Sequence, residues 1–343
     1  MTPRHSSRHW LNLAQESWPS VSEDERELEA RLRPANLSEF VGQHKVVDQL
    51  NLIISAASMH NRAADHVLLA GPPGLGKTTL AMIVAQESKK ALRLTSGPAI
   101  QSSGDLAAIL SALEAGDVLF IDEIHRMSRA AEEMLYLAME DFRVDVMVGK
   151  GPGAASISLD LAPFTLVGAT TRSGMLPTPL RDRFGFTAFL EYYSEQDLET
   201  VVSRSSDRLG YEISQEAAAE LARRSRGTPR IANRLLRRVR DYALVNAGLR
   251  IELHHVKEAM EIFEIDQAGL DRVDRQLLTL LATKFSARPV GLSTLAVAIG
   301  EEPDTIEAVL EPYLIRQGLL QRTPRGREIT EAGKAHLGIT GAS

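Results

Sequence analysis

The sequence runs to 343 residues, 44% hydrophobic and 24% charged, with a formal net charge of −6. That length allows two or three globular domains, and the acidic balance excludes a protein that coats nucleic acid with its whole surface. The absence of cysteine removes disulfides, thiolate metal sites and cysteine nucleophiles, and it suits a reducing cytoplasm.

Residues 1–27 are polar and lack sustained periodicity, so they read as a loose tail. No signal-peptide core stands there, and no apolar run approaches the ~18 residues of a membrane span, so a soluble, intracellular protein without a membrane partner is expected. From Leu28 to about Leu190, helices alternate with short apolar runs at Val67–Ala70, Leu92–Thr95, Val118–Ile121 and Thr165–Ala169. Such alternation demands an α/β domain with a parallel sheet.

Gly71-Pro72-Pro73-Gly74-Leu75-Gly76-Lys77-Thr78-Thr79 closes the first of these runs and opens a helix. Glycines let the backbone curl until its N–H groups point at anionic oxygens, and the helix start adds positive potential. In that context Lys77 reaches the outer phosphates and Thr78 is placed to hold Mg²⁺. The run Val118–Ile121 then delivers Asp122 and Glu123 to the edge of the sheet where ligands bind, 45 residues after Lys77. Asp122 can hold magnesium through water, and Glu123 can polarise the water that attacks the γ-phosphate, so the two motifs together imply ATP hydrolysis.

Thr165–Arg172 is a further buried strand that carries hydroxyls out beside the acids, and Thr171 there can sense the γ-phosphate. The alternative is a threonine pair that merely caps the strand. Pro179-Leu180-Arg181-Asp182-Arg183-Phe184-Gly185 ends a short helix with two arginines flanking an acid. One of them can act in a neighbouring subunit, tying hydrolysis to assembly, whereas Arg181 beside Asp182 reads equally as a surface ion pair.

Residues 191–265 form a small helical domain, with helix starts at Ser194 and Ser214, stops at Gly227 and Gly248, and helical periodicity throughout. Gly227-Thr228-Pro229-Arg230 starts a helix that places Arg230 to fold over a nucleotide. Eight arginines and no acid lie between Arg223 and Arg240, and the others of that run besides Arg230, such as Arg234, Arg237 and Arg238, read as a solvated or intersubunit face. His254 and His255 are expected exposed at a helix start rather than on a metal. Residues 266–343 show a helix over 271–283, short helices over Thr294–Ile299 and Thr305–Gln317, and a basic strand-turn-strand from Leu319 to Thr330. That order is a winged helix.

Phosphate loop, Asp-Glu strand, threonine strand, paired arginines and winged helix stand in the order of an AAA+ ATPase, and the chain most closely resembles the RuvB family of Holliday junction branch migration motors. The words carrying the resemblance include Leu32-Arg33-Pro34, Phe40-Val41-Gly42-Gln43, Ser96-Gly97-Pro98, Asp122-Glu123-Ile124-His125-Arg126, Gly168–Arg172, Gly227–Asn233 and Arg322–Arg327. It implies a P-loop domain (28–190), a helical lid (191–265) and a winged-helix DNA-binding domain (266–343). It further implies a homohexameric ring that works on DNA junctions with RuvA, and with RuvC in a resolvasome.

Residue by residue, the resemblance places Leu32 and Arg33 near the adenine, and Gly74, Lys77, Thr78 and Thr79 at the phosphates. It puts Glu140, Asp141, Phe142, Tyr193 and Arg230 along the nucleotide site and makes Arg183 the arginine finger. Arg322 and Arg327, with Arg325 a weaker candidate, match DNA-contacting wing residues. Residues 143–162, turning at Gly149–Gly153, resemble the hairpin that binds RuvA. Two stretches depart from the usual pattern: Gln101-Ser102-Ser103, and Ser286-Ala287-Arg288-Pro289 in place of a Gly-Gly-Pro turn. The alternative function is a clamp-loader or initiator type of AAA+ switch, which uses ATP to load another protein on DNA.

Overall fold

The computed structural model describes residues 29–148, 155–246, 248 and 250–339, so the expected tail and the turn 149–153 lie outside the described residues. The chain divides into two compact units, Met1–Asp197 and Leu198–Ser343.

In the first unit, continuous apolar runs form parallel strands buried on both faces, as crossover connections require. Strands β1 (Val67–Ala70), β2 (Leu92–Ser96), β3 (Val118–Asp122), β6 (Thr165–Thr170) and β7 (Phe186–Phe189) lie in the order β2-β3-β6-β1-β7. All four strand pairings are parallel. β2, β3 and β6 each run one residue further than the apolar pattern predicts, because Ser96 still pairs with Asp122 and Thr170 with Ala70. Those extra residues are the polar ones, so pairing itself fixes their place on the C-terminal edge.

Helices α1 (His44–Met59), α2 (Lys77–Glu87), α3 (Ser103–Ser111) and α4 (Arg129–Asp141) complete the layers, and a short α5 (Thr178–Arg181) precedes β7. Leu106 and Leu110 of α3 and Leu135 and Ala138 of α4 share one core cluster with Leu119 and Ile121 of β3. β7 is absent from the sequence reading, because an edge strand of four residues with Phe189 exposed carries neither a long apolar run nor clean alternation. β4 (Arg143–Val148) and β5 (Ala155–Asp160) pair antiparallel as the expected hairpin, and β5 is exposed along its whole length.

Helix α6 (Glu195–Arg208) begins at the expected Ser194 cap, whose hydroxyl accepts the Asp197 N–H at 3.1 Å. The second unit continues with α7 (Gln215–Arg224), α8 (Pro229–Asn246) and α9 (Leu253–Ile262). It is not helical throughout: β8 (Glu212–Ile213) and β9 (Arg250–Ile251) form a parallel two-residue pair, too short to register as a period. Nor is His255 exposed; it is buried, and its Nδ1 accepts the Glu252 N–H at 3.0 Å as part of a helix cap.

The basic run is not uniformly solvated either. Arg224 and Arg226 are buried, Arg224 donating to the Ile265 carbonyl at 3.0 Å and Arg226 to the Gly269 carbonyl at 2.7 Å and to the Asp274 carboxylate.

Beyond residue 266 come α10 (Arg272–Ala282), α11 (Leu292–Ile299), α12 (Pro303–Thr305), α13 (Glu311–Arg316), β10 (Leu320–Thr323), β11 (Gly326–Ile329) and α14 (Glu331–His336). The single helix expected over Thr305–Gln317 is interrupted by a π-helical turn, Ile306–Leu310, between α12 and α13. Leu277, Leu281, Leu295, Ile306, Leu314 and Ile329 build one core, and Val290 adds a bridge to Arg327 beside the antiparallel β10–β11 pair.

Candidate active site

The loop after β1 is tied to the sheet as well as to itself. Gly71 N–H donates to the Thr170 carbonyl at 3.1 Å, and Leu190 N–H to the Ala70 carbonyl at 2.8 Å. Gly76, at φ 98, takes a left-handed conformation that a side chain would strain, and it turns the chain into α2. Tyr193 donates its hydroxyl to the Leu75 carbonyl at 3.3 Å, while Gln43 brackets the segment beyond β7 by donating to the Glu191 carbonyl at 2.6 Å and accepting the Glu191 N–H at 3.2 Å. Phe40 packs on Gly76. The word Phe40-Val41-Gly42-Gln43 therefore supports the phosphate loop, a role the sequence reading left unassigned.

Lys77 is buried, and its ammonium donates to the Gly71 and Pro72 carbonyls at 2.8 and 2.9 Å. A desolvated ammonium against loop carbonyls suits an anion arriving in the curl of the loop, since phosphate oxygens offer it stronger partners. Thr78 and Thr79 follow in the first turn of α2. Arg33 donates to the Met82 sulfur at 3.3 Å, beside the helix that the loop opens, and its neighbour Leu32 is buried.

β6 lies between β1 and β3, which puts its C-terminal end between the loop and the acids. Asp122 ends β3 and accepts the Glu123 N–H at 3.0 Å. Glu123 is itself left-handed, at φ 47 and ψ 45, and this turn carries its side chain toward the end of β6. There Thr171 donates to Glu123 Oε2 at 3.1 Å, and His125 Nδ1 lies 3.3 Å from the same oxygen and 2.9 Å from the Thr170 hydroxyl. Burial holds the His125 imidazole below its ordinary value although Glu123 opposes this. His125 is the site residue that sequence reasoning missed; its signal, the fourth letter of Asp-Glu-Ile-His, was quoted without a role.

The structure does not bring all the expected nucleotide residues together within one chain. Arg183 donates to Glu140 at 2.7 Å and to the Pro179 carbonyl at 2.8 Å, and it lies over the Tyr136 ring. Phe142 packs against His66 and Phe164, which immediately precede β1 and β6. Its ring thus sits at the N-terminal edge of the sheet, about 13 Å of strand from the phosphate loop. Glu140 thus holds Arg183, and Asp141 and Phe142 follow it in the chain, with the Phe142 ring at the edge of the sheet opposite Lys77.

In the second unit, Arg230 occupies the first turn of α8 and is exposed. Arg322 and Arg327 face each other across β10–β11, both bound to the buried Glu311, while Arg325 is exposed at the turn between the strands.

Among the described residues no group of three or more His, Cys, Asp or Glu could hold a metal by itself. A hydroxyl and a carboxylate, Thr78 and Asp122, are instead the hard-oxygen donors that suit a magnesium ion carried by a polyphosphate.

A phosphate loop leaving a parallel strand, an acid pair at the end of β3 and a threonine at the end of the intervening β6 define a P-loop ATPase of the AAA+ class. Three family models cover nearly all of the described chain: "Holliday junction DNA helicase RuvB P-loop domain" at residues 32–190, "RuvB AAA lid domain" at 193–266 and "RuvB C-terminal winged helix domain" at 267–338. The Holliday junction branch migration complex subunit RuvB of Clavibacter michiganensis is 64% identical over 321 residues, 93% of this chain and 89% of that relative. That of Thermobifida fusca is 60% identical over 322 residues, 94% of this chain and 92% of the relative. The solved Thermotoga maritima RuvB Holliday junction branch migration motor superposes with a TM-score of 0.83 at 48% identity, covering 91% of this chain and 100% of that one. The chain belongs to the RuvB family.

Proposed function

We propose that this chain is the ATP-driven motor subunit that, with RuvA, migrates the branches of Holliday junctions in recombination and repair. In this reading ATP is hydrolysed to ADP and phosphate, and the chain acts in the cytoplasm as a homohexameric ring on duplex DNA, joined by RuvC in a resolvasome. Its working parts are residues 28–190 for the nucleotide, 191–265 as the lid and 266–343 for DNA. The observation that carries it is Glu123, held by Thr171 and His125 at the sheet edge beside the phosphate loop.

Leu32, Arg33 and Tyr193 bound the nucleotide, Gly74, Lys77, Thr78 and Thr79 receive its phosphates, and Glu123 takes the proton from the attacking water. Magnesium, held by Thr78 and Asp122, would neutralise charge on the β- and γ-phosphates. Thr171, bonded to Glu123, reports the γ-phosphate to the base. Arg183, grouped with Glu140, Asp141 and Phe142, completes the site of the adjacent copy and stabilises charge on the transferring phosphoryl group. Arg230 couples product release to movement of the lid, and Arg322, Arg325 and Arg327 contact phosphates without reading bases.

A loader-type switch is less well supported, because family models for a branch migration protein match all three regions. The two readings separate on a synthetic four-way junction with RuvA present. The motor dissociates it only with hydrolysable ATP, and Glu123→Gln abolishes this while keeping nucleotide binding, with turnover down ~10²–10⁴-fold. Junction dissociation that persists in Glu123→Gln, or with a non-hydrolysable analogue, refutes the motor.

A further inference from the structure

The wing of the second unit holds two cations where a sheet disfavours them. Arg322 and Arg327 are register partners across β10–β11, so their guanidiniums lie on one face and repel. Both converge on Glu311, whose side chain is fully buried: Arg322 Nε donates to Glu311 Oε2 at 2.7 Å, and Arg327 Nε donates to Oε1. Glu307, one turn earlier and partly exposed, adds contacts at 3.2 Å to Arg322 and 3.7 Å to Arg327. The π-turn Ile306–Leu310 ends immediately before Glu311, and such turns are frequent at functional sites. A buried carboxylate is costly unless paired, so this one fixes two guanidinium orientations at once.

We propose that Glu311 is a positioning residue for DNA binding: it orients the guanidiniums of Arg322 and Arg327 toward backbone phosphates, and Glu307 is the acid that yields when a phosphate arrives. This rests on the reading of the wing as the DNA face. It has a counter-intuitive consequence. Neutralising Glu311 raises the positive charge of the wing, which by charge alone tightens DNA binding and steepens its salt dependence. Positioning predicts the reverse.

The test uses the full chain and a fluorescein-labelled DNA duplex, titrated across a range of salt concentrations, with thermal melting and DNA-free ATPase as controls. Glu311→Gln weakens binding about tenfold and flattens the log–log salt slope by roughly 0.9 to 1.8, one to two phosphate contacts. Glu311→Asp, which keeps the charge but withdraws the carboxylate, weakens binding in the same direction and serves if the amide variant melts early. Glu307→Gln leaves affinity equal or higher. Unchanged or tighter binding in both Glu311 variants overturns the proposal, provided Arg322→Ala/Arg327→Ala loses affinity. If that double variant binds as the parent does, the wing is not the DNA face, and it is the underlying reading that has failed.

Discussion

Gly97 offers a perturbation whose cost can be worked from backbone geometry. It follows β2 directly, and a methyl group placed on it would stand 2.3 Å from the Glu123 carbonyl oxygen, 3.1 Å from Met127 N and 3.2 Å from Arg126 C. All three atoms are backbone, so no side chain can swing aside, and Gly97→Ala must push the Glu123 turn back by about 1 Å to restore van der Waals distance. Overpacking of this kind costs roughly 1–3 kcal/mol of stability. A displacement of that size at a catalytic base lowers turnover about 10²-fold, or ~2.7 kcal/mol in barrier. β3 and β6 stand between β2, which Gly97 follows, and β1, which feeds the phosphate loop, so nucleotide affinity stays within about threefold while turnover falls. Steady-state ATPase at saturating ATP, a fluorescent-ADP titration and a melting curve measure the three quantities. A folded Gly97→Ala protein with turnover within about twofold of the parent, or with affinity and turnover falling together, refutes the reasoning.

Two further outcomes follow from local strain and from burial. Ser286 and Ala287, in the turn before Pro289, both adopt positive φ, 51 and 54. Ser286→Gly/Ala287→Gly therefore raises the melting temperature of the winged helix, by relief of roughly 1 kcal/mol per residue, and a lowered melting temperature contradicts this. His66 Nδ1 accepts the Leu166 N–H at 2.9 Å, which leaves Nε2–H to donate to the Met139 carbonyl at 3.1 Å, and burial lowers its pKa. Because the folded pKa lies below the unfolded value of 6.5, the unfolded chain binds the extra proton first, and stability is lost as pH falls below 6.5. Denaturant melts between pH 5 and 7.5 show this slope in the parent, and His66→Gln flattens it.

The parts of the site that the sequence made legible are those with local causes. The left-handed Gly76, the apolar run into Asp122 and the serine caps at 194 and 214 each act within a few residues, so their pattern survives without the fold. What stayed hidden depends on distant partners. Arg224 and Arg226 look like members of a solvated run until their acceptors, Ile265 and Gly269, prove to be 41 and 43 residues away. Gly97 belongs to a word quoted for resemblance alone, and its reason is the Glu123 carbonyl against it. Phe142 was expected along the nucleotide site, and its ring packs at the edge of the sheet opposite the phosphate loop, a matter of strand direction rather than spacing. His125 meets Glu123 only because Glu123 itself turns left-handed.

The most direct trial of the account is subunit mixing. Arg183→Ala retains an intact Glu123, and Glu123→Gln retains an intact Arg183, so each alone forms rings with silent sites. Random mixing in equal amounts in a head-to-tail ring pairs the two intact halves at about a quarter of the seams. ATP turnover of the mixture then rises well above the sum of its parents; a mixture as inactive as either parent contradicts a site built from two copies.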